Sequence, residues 1–215
     1  EMIGSDWSSD VCSSDLGQTM DSNFFALISR MRYIARWGLM RNALPENIQE
    51  HSHMVAVLAH ALGVIRRDIF HQPCDVNALA TAALYHDASE ILTGDLPTPI
   101  KYHNAEIMSA YHAVEDLAVQ KLLGMLPPEL RGTYADVLAE DKDGDIYPLV
   151  KAADKLSAYI KCIEERKAGN NEFLSAEAQT RAALEASPLP EVQYFLEHFI
   201  PAFERDLDEL GAIGQ

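Results

Sequence analysis

The residues best placed to do chemistry lie in the stretch YHDASEILTGDLPTP, residues 85–99 of this 215-residue chain, which contains His86, Asp87, Glu90 and Asp95. The stretch begins with the spacing of an amphipathic helix and ends as a turn. Adjacent helical residues project about 100° apart, so His86 and Asp87 can both reach a cation only if it lies between them. Glu90 falls one turn beyond His86, where a carboxylate could orient or deprotonate a water molecule.

Two distant residues extend this pattern into a possible metal site. His51 occupies a position on an apolar helical stripe where leucine is expected, as His86 does. Either histidine alone is more often an ordinary core residue, but two such cases favour metal ligands. Asp154 lies beside the apolar stripe of its own helix, although a salt bridge with Lys151 or Lys155 is the alternative for it. Imidazole nitrogens with carboxylate oxygens suit Mn, Fe, Co, Ni or Zn better than Mg or Ca.

Helices must position these residues, and the sequence predicts an all-α fold. Apolar residues recur at helical spacing, Gly and Pro mark the breaks, and there is no long strand-like alternation. Asn47 and Glu50 have the spacing of a capping box at the start of the His51 helix. Pro201 should kink or divide the last helix. The predicted helices cover approximately residues 21–37, 47–69, 75–93, 104–125, a segment after 127–128, 146–168, 175–186 and 190–210.

The domain organisation is predicted to be one compact helical domain over residues 21–215, with no internal repeat or linker. Residues 1–20, EMIGSDWSSDVCSSDLGQTM, show no helical period and resemble translated adapter or vector DNA. Met20 would be a natural initiator for the helical part of the chain. The alternative is a native disordered acidic tail, and neither interpretation gives this segment a function.

Composition narrows the possible partners and the compartment. The formal charge is −16, and without residues 1–20 the chain still has 29 acidic against 17 basic residues. Such a charge disfavours polymeric nucleic acid and anionic membranes. The three cysteines, Cys12, Cys74 and Cys162, form no CxxC pair, which favours a reducing cytoplasm. The longest largely apolar run, residues 54–65, is too short to cross a bilayer and contains His60.

Five blocks of the sequence resemble a known enzyme family. An isolated His, a His-Asp pair and a distant Asp form the ligand order of the HD superfamily of metal-dependent phosphohydrolases, which are all-α. More narrowly, the blocks resemble the bacterial 5′-deoxynucleotidases of that superfamily, and they span nearly everything after Met20. The blocks are RWGLMRN (36–42), ENIQEHS (46–52), YHDASEILTGDLPTPIKY (85–102), KAADKL (151–156) and EERKAGNNEF (164–173).

The resemblance implies a single HD-domain bundle that hydrolyses deoxyribonucleoside 5′-monophosphates with one divalent transition-metal ion, such as Co or Mn, and that forms a homodimer. The metal ligands would be His51, His86, Asp87 and Asp154. The catalytic residues would be Glu90, Arg36 and Asp87, with Glu90 serving the attacking water and Arg36 meeting the phosphate. The substrate contacts would be Arg36, Trp37, Asp87, Asp95, Leu96, Pro97 and Thr98.

Trp37 is the residue on which sugar selectivity depends in this interpretation, because its ring would occupy the space that a ribose 2′-hydroxyl needs. Gly38 stands where relatives are expected to have proline, which could loosen the backbone that holds Trp37. The simpler roles are a surface ion pair for Arg36 and core packing for Trp37. The AGNNEF turn at 168–173 receives no chemical role beyond ending a helix.

Two alternative functions stay open at the level of sequence. An HD phosphohydrolase could act on another phosphate ester, namely a ribonucleotide, a cyclic nucleotide or an alarmone. The chain could also be a non-catalytic nucleotide sensor or helical scaffold, although the presence of Glu90 and of all four predicted metal ligands argues against it.

Overall fold

A computed structural model describes residues 22–101, 103–139 and 144–211. The prediction that residues 1–20 form a non-native or disordered extension lies outside these residues. Thr98 and Pro99 are described by their backbone alone.

The predicted all-α class is confirmed. Within the described residues, extended pairing is limited to an isolated bridge between Ala35 and Asn47. Short 3-10 turns cover Ser29–Tyr33, Asn171–Phe173 and Ile200–Glu204, and a π turn covers Ile65–Ile69. The α-helices are α1 Phe24–Ile28, α2 Ile48–Val64, α3 Val76–Tyr85, α4 Glu90–Thr93, α5 Thr98–Lys101, α6 Ala105–Gly124, α7 Pro128–Leu138, α8 Tyr147–Lys167, α9 Leu174–Glu185 and α10 Pro190–His198.

Helix α2 begins where the capping box predicts. The Asn47 side chain accepts a hydrogen bond from the Glu50 backbone N–H at 3.0 Å, and Glu50 accepts one from the Asn47 N–H at 3.4 Å. These bonds satisfy two donors that a helix start otherwise leaves unpaired. The boundary matters because it fixes His51 in the first turn of the helix, facing the interior.

The core is built around α2 and α8, which pack against each other, while α3 packs on α2 and α9 on α8. Apolar side chains from these helices form the main buried cluster, which includes Leu58, Leu62, Leu79, Leu156 and Ile163. A smaller cluster joins Phe24 to the ends of α6 and α7. The helices that carry His51 and Asp154 therefore belong to the most tightly packed part of the molecule.

Gly63 permits the close approach of α2 and α3. A Cβ atom added there would lie 2.5 Å from Val76 Cγ1 and 2.9 Å from Leu79 Cδ2. Gly63→Ala is expected to lower the free energy of unfolding by about 1–2 kcal/mol, because overpacking costs about 1–3 kcal/mol and the helix propensity of alanine offsets part of it. Urea denaturation would measure the change.

Gly132→Ala is the matched control, because Gly132 lies inside α7 with nothing within 4 Å of an added Cβ atom. This variant should gain about 0.5–1 kcal/mol of stability. Equal effects of the two substitutions would contradict the packing argument.

Three predicted helices are shorter than expected. The helix predicted from 21 to about 37 ends at Tyr33, and Ile34 turns extended with ψ 108°. The helix predicted from 75 to 93 stops at Tyr85, residues 86–89 form a turn, and α4 resumes at Glu90. Helical periodicity continued across both breaks because the apolar residues on either side still face the interior. The helix predicted from 190 to 210 is divided near Pro201 as expected, since α10 ends at His198 and a 3-10 turn follows. It does not continue to 210, because Arg205 turns extended with ψ 156°.

Candidate active site

Three elements bring the predicted metal ligands together. His51 comes from the first turn of α2, His86 and Asp87 from the turn after α3, and Asp154 from the middle of α8. His51 Nε2 lies 3.1 Å from Asp154 Oδ1. The ligand atoms of His51, His86 and Asp154 all lie within 4.8 Å of one another, so these three side chains could hold one metal ion.

Asp87 lies against the two histidines but outside this mutually close set of three. Its Oδ2 is 3.1 Å from His86 Nε2 and 3.5 Å from His51 Nε2. The same oxygen lies 3.5 Å from Nη1 of Arg36. Asp87 therefore stands between the possible metal site and the guanidinium.

The imidazole rings of His51 and His86 each present a buried nitrogen that could bind a metal ion. Nε2 of His51 and Nε2 of His86 are both buried and lack a hydrogen-bond partner of acceptable geometry among the described residues. Nδ1 of His86 donates to the Ala83 carbonyl at 2.8 Å, which in the neutral ring leaves the lone pair on Nε2. Nδ1 of His51 lies 3.1 Å from the Ser157 hydroxyl. Two buried nitrogens aimed at carboxylates without hydrogen bonds fit a divalent cation between them.

The charges of the cluster shift the pKa of its members. Burial raises the pKa of Asp154, but the 3.1 Å contact with His51 Nε2 and the charges of His51 and His86 outweigh it and lower the pKa to about 2. Burial lowers the pKa of His86, and the carboxylates of Asp87 and Asp154 raise it by more. The carboxylates of this cluster thus favour positive charge beside them, which is the electrostatic environment that a divalent cation prefers.

Glu90 is a buried carboxylate with one oxygen, Oε2, that lacks a hydrogen-bond partner among the described residues. Burial, followed by the charges of Asp87 and Asp95, raises the pKa of Glu90 to about 10. A nearby cation favours the ionised form of a carboxyl group, so a bound metal would bring this pKa down. A buried carboxyl group with a strongly shifted pKa beside a possible metal site is a candidate for proton transfer.

The other predicted substrate contacts follow α4 in the sequence. This helix ends at Gly94, which has a left-handed φ of 74°. Asp95, Leu96 and Pro97 are partly buried. The pKa of Asp95 is raised by burial and by the charge of Asp87, although Arg36 and the nearby Trp37 backbone lower it, so Asp95 faces the Arg-Trp segment. Helix α5 begins at Thr98, and the predicted role of its side chain lies outside what the structure describes.

The Arg-Trp segment is held by a residue that the sequence did not single out. Oε2 of Glu46 accepts hydrogen bonds from Arg36 Nε at 3.1 Å and from Trp37 Nε1 at 3.0 Å. The sequence contained one indication of a role for Glu46, namely that it is the first residue of the ENIQEHS block that resembles the family. The Trp37 ring packs edge-on against Phe173 at 5.2 Å between centroids.

The EERKAGNNEF block anchors the loop after Trp37, a role that the sequence did not predict. Glu165 is fully buried and accepts hydrogen bonds from the backbone N–H groups of Ala43 at 2.8 Å and Leu44 at 2.9 Å. Asn170 Nδ2 donates to Glu165 at 2.8 Å and to the Arg41 carbonyl at 2.7 Å. A glutamate on the buried face of α8 was the available signal.

Gly38, expected to loosen this segment, does not have a left-handed φ, and an added Cβ would meet nothing within 4 Å. Trp37 instead has the unusual backbone, with φ 59°. Its carbonyl accepts from the Met40 N–H at 2.8 Å and from Asn42 Nδ2 at 3.4 Å. The backbone of Trp37 is thus held by contacts of its own carbonyl.

Comparison with known proteins gives a consistent family. The model of a family described as 5′-deoxynucleotidase YfbR-like matches residues 23–203. The 5′-deoxynucleotidase YfbR of Shigella boydii is 50% identical over 191 residues, covering 88% of this chain and 96% of the relative. The protein of that name from Escherichia coli K12 has the same identity and coverage.

Solved structures agree with the sequence comparison. An HD-domain phosphohydrolase from Listeria innocua aligns with a TM-score of 0.75 at 25% identity, covering 86% of this chain and 90% of that one. The HD phosphohydrolase DatZ of cyanophage S-2L, bound to dA and one catalytic Zn²⁺, aligns with a TM-score of 0.54 at 26% identity, covering 86% and 96%. Among the described residues of the present chain, no helix is both long and apolar enough to traverse a membrane.

Proposed function

This chain belongs to the YfbR-like 5′-deoxynucleotidase family of HD-domain phosphohydrolases, and we propose that it hydrolyses deoxyribonucleoside 5′-monophosphates to deoxyribonucleoside and phosphate. The observation that carries the proposal is the convergence of His51, His86 and Asp154 within 4.8 Å, with Arg36 joined to that cluster through Asp87. A cation site beside a guanidinium is the arrangement that a phosphate monoester requires.

His51, His86, Asp87 and Asp154 would hold the divalent ion. Such an ion polarises the phosphate and lowers the pKa of a water molecule. Mixed nitrogen and oxygen ligands accept several first-row ions, so we propose Co, Mn or another first-row ion. The dA-bound DatZ contains Zn.

The other residues act on the substrate and on protons. Arg36 is mostly buried and already paired with carboxylates on two sides, so it can present fixed donors to the phosphate oxygens with little loss of side-chain entropy. Ionised Glu90 takes a proton from the attacking water as the new bond to phosphorus forms. The bond from phosphorus to the 5′-oxygen breaks, and that oxygen takes a proton from solvent and leaves as the 5′-hydroxyl of the nucleoside, while Glu90 returns its proton to solvent.

Selection of deoxyribose is assigned to Trp37, whose ring would exclude a 2′-hydroxyl, with Asp95, Leu96, Pro97 and Thr98 completing the nucleotide pocket. Trp37 lies next to Arg36, which supports a sugar contact adjacent to the phosphate contact. Asp95 lies close enough to Arg36 and to the Trp37 backbone for both to lower its pKa, which supports a pocket with walls from both segments.

Phosphate release from dAMP and AMP by the metal-loaded protein tests this function. We expect kcat/KM for dAMP to exceed that for AMP by at least about tenfold, since excluding one hydroxyl is worth about 1–3 kcal/mol. Equal rates would contradict deoxyribose selection. Preferential turnover of a cyclic nucleotide or an alarmone in the same panel would replace the proposed substrate class, and binding without any turnover would indicate a sensor.

We also propose a homodimer in the cytoplasm. The face of α6 exposes Ile107, Val114 and Leu117, which recur at helical spacing and would be covered by a second copy. Cys74 and Cys162 form no disulfide, as expected in a reducing compartment. Sedimentation of the wild type should give twice the chain mass, and Leu117→Glu should shift it toward the monomer.

A further inference from the structure

Glu46 binds both predicted substrate-recognition residues with one atom. Its Oε2 accepts from Trp37 Nε1 at 3.0 Å and from Arg36 Nε at 3.1 Å. The side chains of Arg36 and Glu46 are 12% and 15% exposed, so this three-membered unit is largely shielded from water. Hydrogen bonds to a charged acceptor in such surroundings are stronger than neutral ones.

The backbone of Glu46 is docked on the same segment. The Arg36 N–H donates to the Glu46 carbonyl at 3.0 Å, and the Ala35–Asn47 bridge and the bond from Ile48 N–H to the Ile34 carbonyl at 2.9 Å continue the pairing. The carboxylate therefore reaches its two donors from a fixed base, directly before the capped start of α2.

Trp37 needs such a restraint because its φ of 59° places a bulky residue in the left-handed region. Residues keep this conformation when surrounding contacts determine it, and such residues cluster at functional sites. Phe173 packs against the indole ring at 5.2 Å, while Glu46 fixes its polar edge. Together they limit rotation of the ring.

From these contacts we propose that Glu46 is a positioning residue that sets the selectivity for deoxyribose, a proposal that rests on the proposed deoxynucleotidase function. One oxygen shared by two donors couples the indole to the guanidinium, so the sugar-excluding ring keeps a fixed place relative to the phosphate-binding group. Without Glu46 the ring is free to turn away, and a ribose 2′-hydroxyl gains room.

The test compares kcat/KM for dAMP and AMP in Glu46→Ala, in Trp37→Phe, which removes the indole N–H, and in the double variant. Each single substitution is expected to lower the dAMP/AMP ratio about tenfold. Both substitutions remove the same contact, so their effects should not add. The dAMP/AMP ratio of the double variant should equal that of the single variant with the lower ratio. We expect most of the loss of selectivity as a gain in AMP turnover, which mere destabilisation would not produce.

Glu164→Ala is the matched control. Glu164 lies at the surface, and its charge interacts with that of Glu46. Partial burial of the Glu164 carboxyl is the largest cause that raises the pKa of Glu164, and the charge of Glu46 raises it further. Removing this charge takes away a nearby carboxylate without touching the bonds that Glu46 makes, so the dAMP/AMP ratio should stay unchanged. An equal loss in the control would attribute the effect to net charge and overturn the positioning role.

Tryptophan fluorescence gives a readout that is independent of activity. The chain has two tryptophans, so Trp7→Phe leaves Trp37 as the sole emitter. In that background Glu46→Ala should shift the emission to longer wavelength and increase quenching by acrylamide. Unchanged emission would overturn the proposal.

The outcomes separate this proposal from the proposed function. A wild type that discriminates dAMP from AMP, with Glu46→Ala discriminating equally well, overturns the role of Glu46 alone. A wild type that does not discriminate overturns both. Should Glu46→Ala fail to fold, full selectivity in Trp37→Phe would still overturn the proposal, because the indole N–H would then be dispensable.

Discussion

Asp87→Ala is expected to abolish phosphate release from dAMP and to remove most of the bound metal while leaving the helical content intact. Asp87 Oδ2 lies 3.1 Å from His86 Nε2 and 3.5 Å from both His51 Nε2 and Arg36 Nη1. Alanine would remove a proposed metal ligand and also leave the mostly buried guanidinium without one of its two carboxylate partners. Because a bound cation contributes several kcal/mol to catalysis, we expect a loss of about 1000-fold or more in kcat/KM.

Metal analysis, circular dichroism and phosphate release on the same preparation would measure this effect. Asp116→Ala is the control, since Asp116 is exposed on α6 and surface substitutions of this kind change stability by at most about 0.5 kcal/mol. Undiminished turnover in Asp87→Ala would refute the metal assignment. Lost helical content would instead show that Asp87 is needed for the fold.

Glu90→Gln is expected to lower kcat by about 100-fold to 10,000-fold, the usual contribution of a positioned acid or base. Glutamine has the same shape but cannot accept the proton. Glu90 is 7% exposed, and burial with the charges of Asp87 and Asp95 raises the pKa of its carboxyl group to about 10. Metal content and KM should stay within about threefold of the wild type, because a proton carrier acts in the transition state rather than in binding.

Steady-state kinetics with metal analysis distinguish the possible roles of Glu90. A fall in metal content would identify Glu90 as a ligand. A kcat above one tenth of the wild-type value would exclude it as the proton carrier. Glu50→Gln is a suitable comparison, because Glu50 is an exposed glutamate on α2 whose role is confined to the capping box.

The site was predictable where a residue broke a local pattern. His51 and His86 stood in apolar stripes, and the structure buries Nε2 of both rings beside carboxylates. The capping box at Asn47 was also readable, because helix starts depend on residues only three positions apart. The spacing of apolar residues wrongly predicted a continuous helix through residues 86–89, which form a turn. A break this short hardly changes which flanking residues face the interior, so the helical pattern continues across it.

Glu46 and Glu165 show why the rest was not predictable. Glu46 lies nine or ten residues from its donors, across a loop whose path no local rule gives. Glu165 bonds Leu44, which is 121 residues away. From sequence alone, a glutamate in a helix is predicted to face solvent. Its buried role becomes visible only when the backbone N–H groups that bond to it are located.

The sequence by itself determined the all-α class, most helix boundaries and the residue types of the candidate site, because periodicity, capping and misplaced polar residues are local properties. Only the tertiary structure decided that His51, His86 and Asp154 converge, that Asp87 joins them to Arg36, and that Glu46 holds Arg36 and Trp37 with one oxygen. These contacts depend on how α2, α3 and α8 pack, and packing is set by the burial of side chains from all three helices at once.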